Sequence, residues 1–328
     1  MLGRLTLNRR GNILDMKPVK PLLFSQKIST EDQSVFEECI NAQSIPTSFE
    51  DSTHQLWLCQ FGSNTRFLKL CSKTACDHSI FWRAMNWLFE FNIASSLANY
   101  QDVYKQVADW SSLRIPDLIY ASSCDVLEGS EASSPDGFLL TDYLKGQALT
   151  SGDLTQDQVL QVAEHLALLH QHSRSTFGPL FKGDQESKNK AIDWQQNLKK
   201  TFSKLNERNS LNSQVLIQTT RLIDDLTVTE FQPIMLDLRW DQFMQLEGGG
   251  LALVDLDAMV WGPKALEWVM LEYLLDEKQA ELFKSVYCQH HTIPDLSLER
   301  AIYRVLLFQM NVLGETDFER WMAHPVRF

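Results

Sequence analysis

The most constraining feature of this sequence is a change in hydrophobic period near Gly146. Before it, short apolar runs such as HQLWLCQF and RFLKLC are separated by turn-forming residues, which is typical of an antiparallel meander. After it, apolar residues recur every three or four positions through LTQDQVLQVAEHLALLHQHS, which predicts a long amphipathic helix. We therefore predict an α+β fold with two lobes, a small antiparallel-sheet lobe followed by a larger, mainly helical lobe.

The same transitions predict three segments. Residues 1–25 carry basic side chains without clear periodicity, and we expect them to be loosely ordered. Residues 26–145 form the predicted sheet lobe, which also contains a long aromatic-rich helical region over 78–110. Residues 146–328 form the predicted helical lobe, interrupted by a hairpin that turns at 248–250, where three glycines follow one another.

Charge and cysteine usage limit the classes of partner. The net charge of −12, from 42 acidic and 30 basic residues, argues against a nucleic-acid or anionic membrane partner. No run approaches the roughly 18 apolar residues of a membrane span, and no secretory signal begins the chain, so we predict a cytoplasmic protein. Cys71 and Cys76 have no second pair to complete a zinc site, which favours free thiols. The oligomeric state stays open.

Two separated stretches place charge inside apolar surroundings. In PIMLDLRWDQF (233–243), Asp237 and Gln242 are five residues apart, and Asp255 follows the predicted hairpin in LALVDLDAMVWG. A carboxylate at the end of that hairpin would face the same cleft as the loop that precedes it. Upstream, Lys69 lies in an apolar strand, and Glu90 lies on an aromatic helical face where a buried carboxylate needs a partner such as Lys69.

Several stretches, taken in order, resemble the small-molecule kinases that include aminoglycoside phosphotransferases, choline kinases and fructosamine kinases. RFLKL resembles their lysine strand, FLLTDYLKGQAL their hinge between lobes, and LALLHQHSRSTFG a helix that ends in Leu-His before Phe-Gly. MLDLRWDQF and GGLALVDLDAMVWGPKALEW resemble the catalytic loop, the hairpin and the metal-binding segment. The resemblance begins near residue 45 and implies a protein-kinase-like fold, with ATP and Mg²⁺ as cofactors.

The resemblance also implies a role for each charged residue. Asp237 would orient the acceptor hydroxyl, as the aspartate of the family's His-Gly-Asp loop does. Lys69 would contact the nucleotide phosphates, with Glu90 as its partner from the helix. Asp255 and Gln242 would hold Mg²⁺, which prefers oxygen ligands.

This chain departs from the family's pattern in two loops. Met235 and Leu236 replace the His and Gly before the aspartate, and Gln242 replaces an Asn that is one methylene shorter. The nucleotide loop FEDSTHQ contains no glycine, so the hydroxyls and amides of Ser52 and Thr53 would have to contact the phosphates. These departures raise the question of whether the chain still catalyses the reaction.

Three hypotheses follow. The first is an ATP-dependent phosphotransferase that acts on a hydroxyl of a small molecule, such as an amine, a sugar or an amino sugar. The second is a pseudokinase-like binding or scaffolding protein that has lost catalysis. The third is an unrelated α+β protein whose acidic residues do not converge. The roles of Asp241 and Asp257, and the choice between ATP and GTP, stay open, while His170 is expected to pack or cap at a helix end.

Overall fold

The structure is a computed structural model that describes residues 32–46, 52–123, 137–152, 154–182, 189–207 and 211–328. The segment 1–25, predicted to be loosely ordered, lies outside the described residues. The first three residues of the predicted nucleotide loop FEDSTHQ, 49–51, lie outside them as well, and its residues from Ser52 onward are described.

A five-stranded antiparallel sheet forms the first lobe, in the order β1-β2-β3-β5-β4. Its strands are β1 (Cys39–Ile45), β2 (His54–Phe61), β3 (Asn64–Cys71), β4 (Leu118–Ser122) and β5 (Gly137–Asp142). Because β3 lies at the centre, Lys69 is paired with Leu56 of β2 on one side and Leu139 of β5 on the other. Side chains alternate between the faces of a strand, so Leu68 and Leu70 enter the sheet's core while Lys69 faces the other way.

The aromatic-rich region over 78–110 is divided into several helices rather than one. They are α1 (Lys73–His78), α2 (Ile80–Phe89), α3 (Ile93–Ser96) and α4 (Tyr100–Trp110). Ser79 caps α2 by accepting a hydrogen bond from the backbone of Trp82, and Glu90 ends it in the left-handed conformation at φ 53°. Asn92 then caps α3. Local capping therefore overrides the continuous apolar period of the sequence.

The second lobe is mainly helical. Its helices are α5 (Gln156–Leu169), α6 (Trp194–Asn206), α7 (Ser213–Asp225), α8 (Lys264–Leu274), α9 (Glu277–Tyr287), α10 (Glu299–Gln309) and α11 (Phe318–Met322). The amphipathic pattern predicted α5, which a capping box of Thr155 and Gln158 begins. None of the helices in the described ranges combines the length and apolarity that crossing a membrane requires.

Two small sheets connect the helical lobe to the cleft. The first has the order β10-β9-β6, and its strands are β6 (Gly146–Ala148), β9 (Phe243–Leu246) and β10 (Leu251–Leu253). The second has the order β7-β11-β8, and its strands are β7 (Gly178–Pro179), β8 (Gln232–Met235) and β11 (Met259–Gly262). Strands β9 and β10 are the predicted hairpin, and the positive φ angles of Gly249 and Gly250 form its turn. The loops that follow β8 and β10 carry the acidic residues predicted for the site.

A single large core joins α2–α4 to the helices of the second lobe. Phe89 at the end of α2 packs against Trp194 at the start of α6, with ring centroids 5.7 Å apart. A smaller cluster beneath the sheet contains Phe36, Phe61 and Phe138. The predicted α+β architecture of a sheet lobe and a helical lobe is confirmed by this arrangement.

Candidate active site

A cavity of about 380 Å³ lies between the five-stranded sheet and the β9–β10 hairpin. The end of β5 and the hinge segment that follows it also border the cavity, through residues 141–144. Six of the sequence-predicted site residues line this cavity: Ser52, Thr53, Lys69, Asp237, Gln242 and Asp255. Asp241 and Asp257, whose roles the sequence left open, line it too.

Lys69 is held between two carboxylates on the cavity wall. Its Nζ lies 2.8 Å from Oδ2 of Asp255 and 2.5 Å from Oδ2 of Asp257. Burial by itself would lower the pKa of Lys69, but the charges of Asp255 and Asp257 outweigh it and raise the pKa. The lysine therefore keeps its positive charge in a largely buried position, 12% exposed.

The two carboxylates differ in their surroundings. Asp255 is 22% exposed to the cavity, and its Oδ1 accepts the backbone N–H of Asp257 at 3.1 Å. Burial raises the pKa of Asp255, but the charge of Lys69 and this hydrogen bond outweigh burial and lower the pKa to about 2. Asp257 is 5% exposed, and burial together with the charge of Asp255 raises its pKa. Asp255 is therefore the anionic group that the cavity presents.

A second set of contacts supports Asp257 from the sheet side. Nε2 of His54 lies 3.2 Å from Oδ2 of Asp257, and its Nδ1 lies 3.0 Å from the hydroxyl of Thr53. The Trp82 indole donates a hydrogen bond to that hydroxyl at 3.0 Å. Burial, with the nearby charge of Lys69, lowers the pKa of His54 to about 3, so the imidazole is neutral.

Ser52 and Thr53, the predicted phosphate contacts of the nucleotide loop, differ in their hydrogen bonds and their exposure. Thr53 lines the cavity, but its hydroxyl is engaged by Trp82 and His54 and is only 8% exposed. The Ser52 hydroxyl donates to the carbonyl oxygen of His54 at 3.0 Å, within its own loop. Ser52 is the exposed member of the pair, so it is better placed than Thr53 to meet a phosphate.

Glu90 does not take the position that the sequence predicts. It is exposed, ends α2 and does not border the cavity, whereas Lys69 pairs with Asp255 and Asp257. The physical reason is local: the chain turns into the left-handed conformation at Glu90, which moves its side chain off the apolar face of α2. The prediction that Glu90 is the partner of Lys69 is wrong.

Asp237 lies in the loop between β8 and a short 3₁₀ turn, Trp240–Gln242. The side-chain amide of Gln242 donates to its Oδ2 at 3.2 Å, and Nη1 of Arg239 lies 3.3 Å from its Oδ1. Burial raises the pKa of Asp237 to about 7, although the charge of Arg239 lowers it. A carboxylate with a pKa close to neutrality is suited to accept a proton from a substrate hydroxyl.

The loop that carries Asp237 is fixed by a buried acid from α8. Oε1 of Glu267 accepts the backbone N–H of Met235 at 2.7 Å, and its Oε2 lies 2.9 Å from Nε2 of His170. The other ring nitrogen of His170 lies 2.8 Å from the Tyr287 hydroxyl. Leu236 is buried and is not among the described residues with positive φ, so this position does not require the family's glycine.

Sequence reasoning missed His54 and Glu267, and it left the role of Asp257 open. A usable signal existed for Glu267, because it interrupts the apolar run of α8 and a buried acid needs a partner. Asp257 was noticed only as a second carboxylate near Asp255, and its pairing with Lys69 depends on the fold. His54, at the start of β2, carried no signal that distinguishes it from an exposed histidine.

The cavity is lined by carboxylate and amide oxygens, which are the kinds of ligand that magnesium prefers. Asp255 and Gln242 would hold it, since carboxylate and amide oxygens are suitable ligands. Within the described ranges, no three His, Cys, Asp or Glu side chains cluster as a ready-made metal site. Magnesium is usually bound by one or two carboxylates with substrate phosphates and water completing its shell, so a sparse protein donor set is compatible with it.

No protein-family model matches the chain, and no curated protein sequence matches it. Solved structures do match. A candidate fructosamine-3-kinase from Haemophilus somnus aligns with a TM-score of 0.58 at 14% identity, covering 92% of this chain and 97% of its own. A macrolide 2'-phosphotransferase from Brachybacterium faecium aligns with a TM-score of 0.54 at 11% identity, covering 93% and 97%.

A third similar structure is a thermostable variant of an aminoglycoside phosphotransferase in a ternary complex with ADP and hygromycin B. It aligns with a TM-score of 0.54 at 14% identity, covering 90% of this chain and 95% of its own. The chain therefore has the protein-kinase-like fold of small-molecule phosphotransferases, which confirms the fold implied by the sequence resemblance.

Proposed function

We propose that this protein is an ATP-dependent phosphotransferase that acts on a hydroxyl group of a small molecule. One observation carries the proposal: Lys69, Asp255 and Asp237 come from separate parts of the chain and line one cavity. Phosphoryl transfer requires a cation on the phosphates, an oxygen ligand for the metal and a carboxylate at the acceptor, and these three side chains supply them.

Each residue has a distinct role in the proposed reaction. Lys69 contacts the phosphates of ATP, and Asp237 accepts a hydrogen bond from the acceptor hydroxyl. The hydroxyl oxygen forms a bond to the γ-phosphorus while the bond between that phosphorus and the β–γ bridging oxygen breaks. The hydroxyl proton passes to Asp237. The products are a phosphate monoester and ADP. Magnesium, held by Asp255 and Gln242, would neutralise charge that develops on the phosphates.

The acceptor proposed is an amine, a sugar or an amino sugar that carries a free hydroxyl. Asp241 borders the cavity beside Asp237, and its side chain is 40% exposed. Two carboxylates near one guanidinium leave this end of the cavity acidic, which favours neutral or cationic acceptors over anionic ones. The similar aminoglycoside phosphotransferase was solved in a ternary complex with ADP and hygromycin B.

Two further assignments belong to the same proposal. We place the division between the lobes at residues 145 and 146, supported by the pairing of β6 with β9 of the second lobe. We also assign the protein to the cytoplasm, where ATP is supplied. The free thiols of Cys39, Cys59, Cys71, Cys76 and Cys288 agree with a reducing compartment.

The proposal is tested by measuring ATP consumption with a panel of hydroxylated amines, sugars and amino sugars. The wild-type protein is expected to form ADP with at least one acceptor, and Asp237→Asn to lose at least about a hundredfold in turnover. Glu90→Gln is the matched control, because Glu90 is exposed and outside the cavity. Equal turnover by wild type and Asp237→Asn would overturn the catalytic assignment.

Nucleotide binding gives a second, acceptor-independent test. Mg-ATP at a hundred times its dissociation constant should stabilise the folded protein by about 2.7 kcal/mol, which a thermal shift detects. No shift with either ATP or GTP would instead support a scaffolding protein that keeps the fold.

A further inference from the structure

Lys69 has two carboxyl neighbours in this protein, and both come from one short segment after β10. Within the described residues, its ion pairs are with Asp255 and Asp257, which are separated only by Leu256. No acidic side chain from helices α1–α4 is among these ion pairs, and the acidic residue predicted for that role, Glu90, points elsewhere. One segment therefore holds the lysine and also presents a metal ligand.

The two aspartates are not equivalent. Asp255 is the more exposed of the pair, at 22%, and borders the open part of the cavity, whereas Asp257 is 5% exposed. Nζ of Lys69 donates a hydrogen bond to Oδ2 of Asp255 at 2.8 Å and forms an ion pair with Oδ2 of Asp257 at 2.5 Å. Asp255 can therefore engage a ligand from the cavity while Asp257 stays on the lysine.

Asp257 is itself fixed from three sides. The Tyr100 hydroxyl of α4 donates to its carbonyl oxygen at 2.6 Å, and its backbone N–H donates to Asp255. On the sheet side, Nε2 of His54 lies 3.2 Å from its carboxylate. The first two contacts fix the backbone of Asp257, and the third lies beside its carboxylate, so the segment that carries this carboxylate is held next to Lys69.

The contacts of His54 favour one tautomer of its neutral ring, in which Nε2 carries the proton. If the proton of the neutral ring is on Nε2, it faces the Asp257 carboxylate, and Nδ1 is free to accept from the Thr53 hydroxyl. That hydroxyl accepts in turn from the Trp82 indole N–H. The chain of contacts links α2 and β2 to Asp257, so the helix acts on the lysine indirectly rather than through an acidic residue of its own.

We propose that Asp257 is a positioning residue that holds Lys69 against the nucleotide phosphates, in place of an acidic residue from the helix next to the sheet. Asp255 is then free to serve the metal. The inference rests on the proposed phosphotransferase function and deepens it, because it divides the two neighbouring aspartates between two tasks.

The first experiment compares ATP affinity with Mg²⁺ and with EDTA, for Asp257→Asn, Asp255→Asn and the control Glu90→Gln. Asp257→Asn is expected to weaken ATP binding by about tenfold or more both with Mg²⁺ and with EDTA, because the lysine contacts phosphate whether or not a metal is present. Asp255→Asn is expected to weaken binding mainly when Mg²⁺ is present. If Asp257→Asn behaves like Asp255→Asn, or leaves both affinities unchanged, the inference is overturned.

Two further variants test whether Asp257 acts through Lys69. Asp257→Glu keeps the charge and should recover part of the affinity that Asp257→Asn loses. In a Lys69→Met background, adding Asp257→Asn should cause no further loss, because the two residues act as one unit. Additive losses in this cycle would contradict the inference.

A third measurement needs no nucleotide and so separates the positioning role from the proposed function. The rate at which an N-hydroxysuccinimide ester acylates Lys69 is followed by mass spectrometry, with exposed Lys278 as the internal standard. Asp257→Asn is expected to raise the Lys69 rate severalfold, because it weakens the contact that holds the amine in its buried position. An unchanged rate would show that Asp257 does not hold the lysine, whatever the protein phosphorylates.

Discussion

Glu267 accepts the backbone N–H of Met235 through a carboxylate oxygen at a distance of 2.7 Å. Met235 ends strand β8, two residues before Asp237 in the chain. The carboxylate is fully buried and is also paired with His170. Helix α8 of the second lobe therefore positions the start of the loop that carries Asp237. It does so without the histidine of the His-Gly-Asp pattern, which Met235 replaces in this chain.

Replacing Glu267 with alanine should destabilise the protein strongly. The change leaves a buried N–H without an acceptor and His170 without its carboxylate, at a cost of about 3–5 kcal/mol in the free energy of unfolding. Urea unfolding measures the loss. Glu277→Ala, at an exposed position on α9, is the control and should cost less than about 1 kcal/mol. A small effect of Glu267→Ala would mean that apolar packing alone holds the loop.

Asp237 should make stability fall as the pH rises. Its folded pKa of about 7 lies above the ordinary value of 3.8, so between these values the folded state keeps a proton that the unfolded state has released. Stability therefore decreases through this window and stays reduced above it. Asp237→Asn removes the effect and should be more stable than wild type at pH 8, by about 1–2 kcal/mol after allowing for partial solvent exposure.

Denaturant unfolding of both proteins at pH 5 and pH 8 checks this sign. The free energy of unfolding of Asp237→Asn relative to that of wild type should be larger at pH 8 than at pH 5. A difference that is the same at both pH values would indicate that the pKa of Asp237 is not raised in the folded protein.

Arg239 should set the pH dependence of turnover. Asp237 accepts the hydroxyl proton only when ionised, so the rate is expected to rise with pH through about 7, the raised pKa of this carboxyl. Because the positive charge of Arg239 lowers the pKa of Asp237, Arg239→Gln should move the midpoint upward by about one pH unit.

The pH profile of kcat/KM measures that midpoint, with Arg221→Gln as a control at an exposed position on α7. A midpoint that stays in place when Arg239 is replaced would show that another group limits the reaction.

Glu272 should be a second determinant of stability, distant from the cavity. It is fully buried on α8 and pairs with Arg300 and Arg304 of α10 at 2.9 Å and 2.7 Å. Arg304 also donates to the carbonyl oxygens of Met322 and His324, so the pair ties the last residues to the helices. Glu272→Gln should lower the free energy of unfolding by about 3 kcal/mol.

Thermal or urea unfolding checks this value. Combining Glu272→Leu with Arg304→Met should recover part of the loss, because removing both partners leaves fewer uncompensated buried charges. If the double change is as costly as Glu272→Gln, the hydrogen bonds from Arg304 to the last residues matter more than the charge pair.

Hydrophobic period and turn composition determined the architecture. Alternating strands before Gly146 and helical spacing after it predicted the two lobes, and the run of glycines at 248–250 predicted the hairpin β9–β10. These features depend on neighbours close in sequence, so a single sequence contains them. The order of Lys69, Asp237 and Asp255 along the chain, with the family resemblance, favoured one shared cleft, and all three line the cavity.

Only the tertiary structure decided which acid meets Lys69. Its place on an aromatic helical face and the family resemblance favoured Glu90, but Glu90 ends α2 in the left-handed conformation and is exposed. Asp257 reaches the lysine because β3 and the segment after β10 converge, 188 positions apart in the chain, with His54 and Tyr100 fixing it from two other elements. Sequence patterns record which residues share a face of one element, whereas a buried charge is placed by the elements that fold around it.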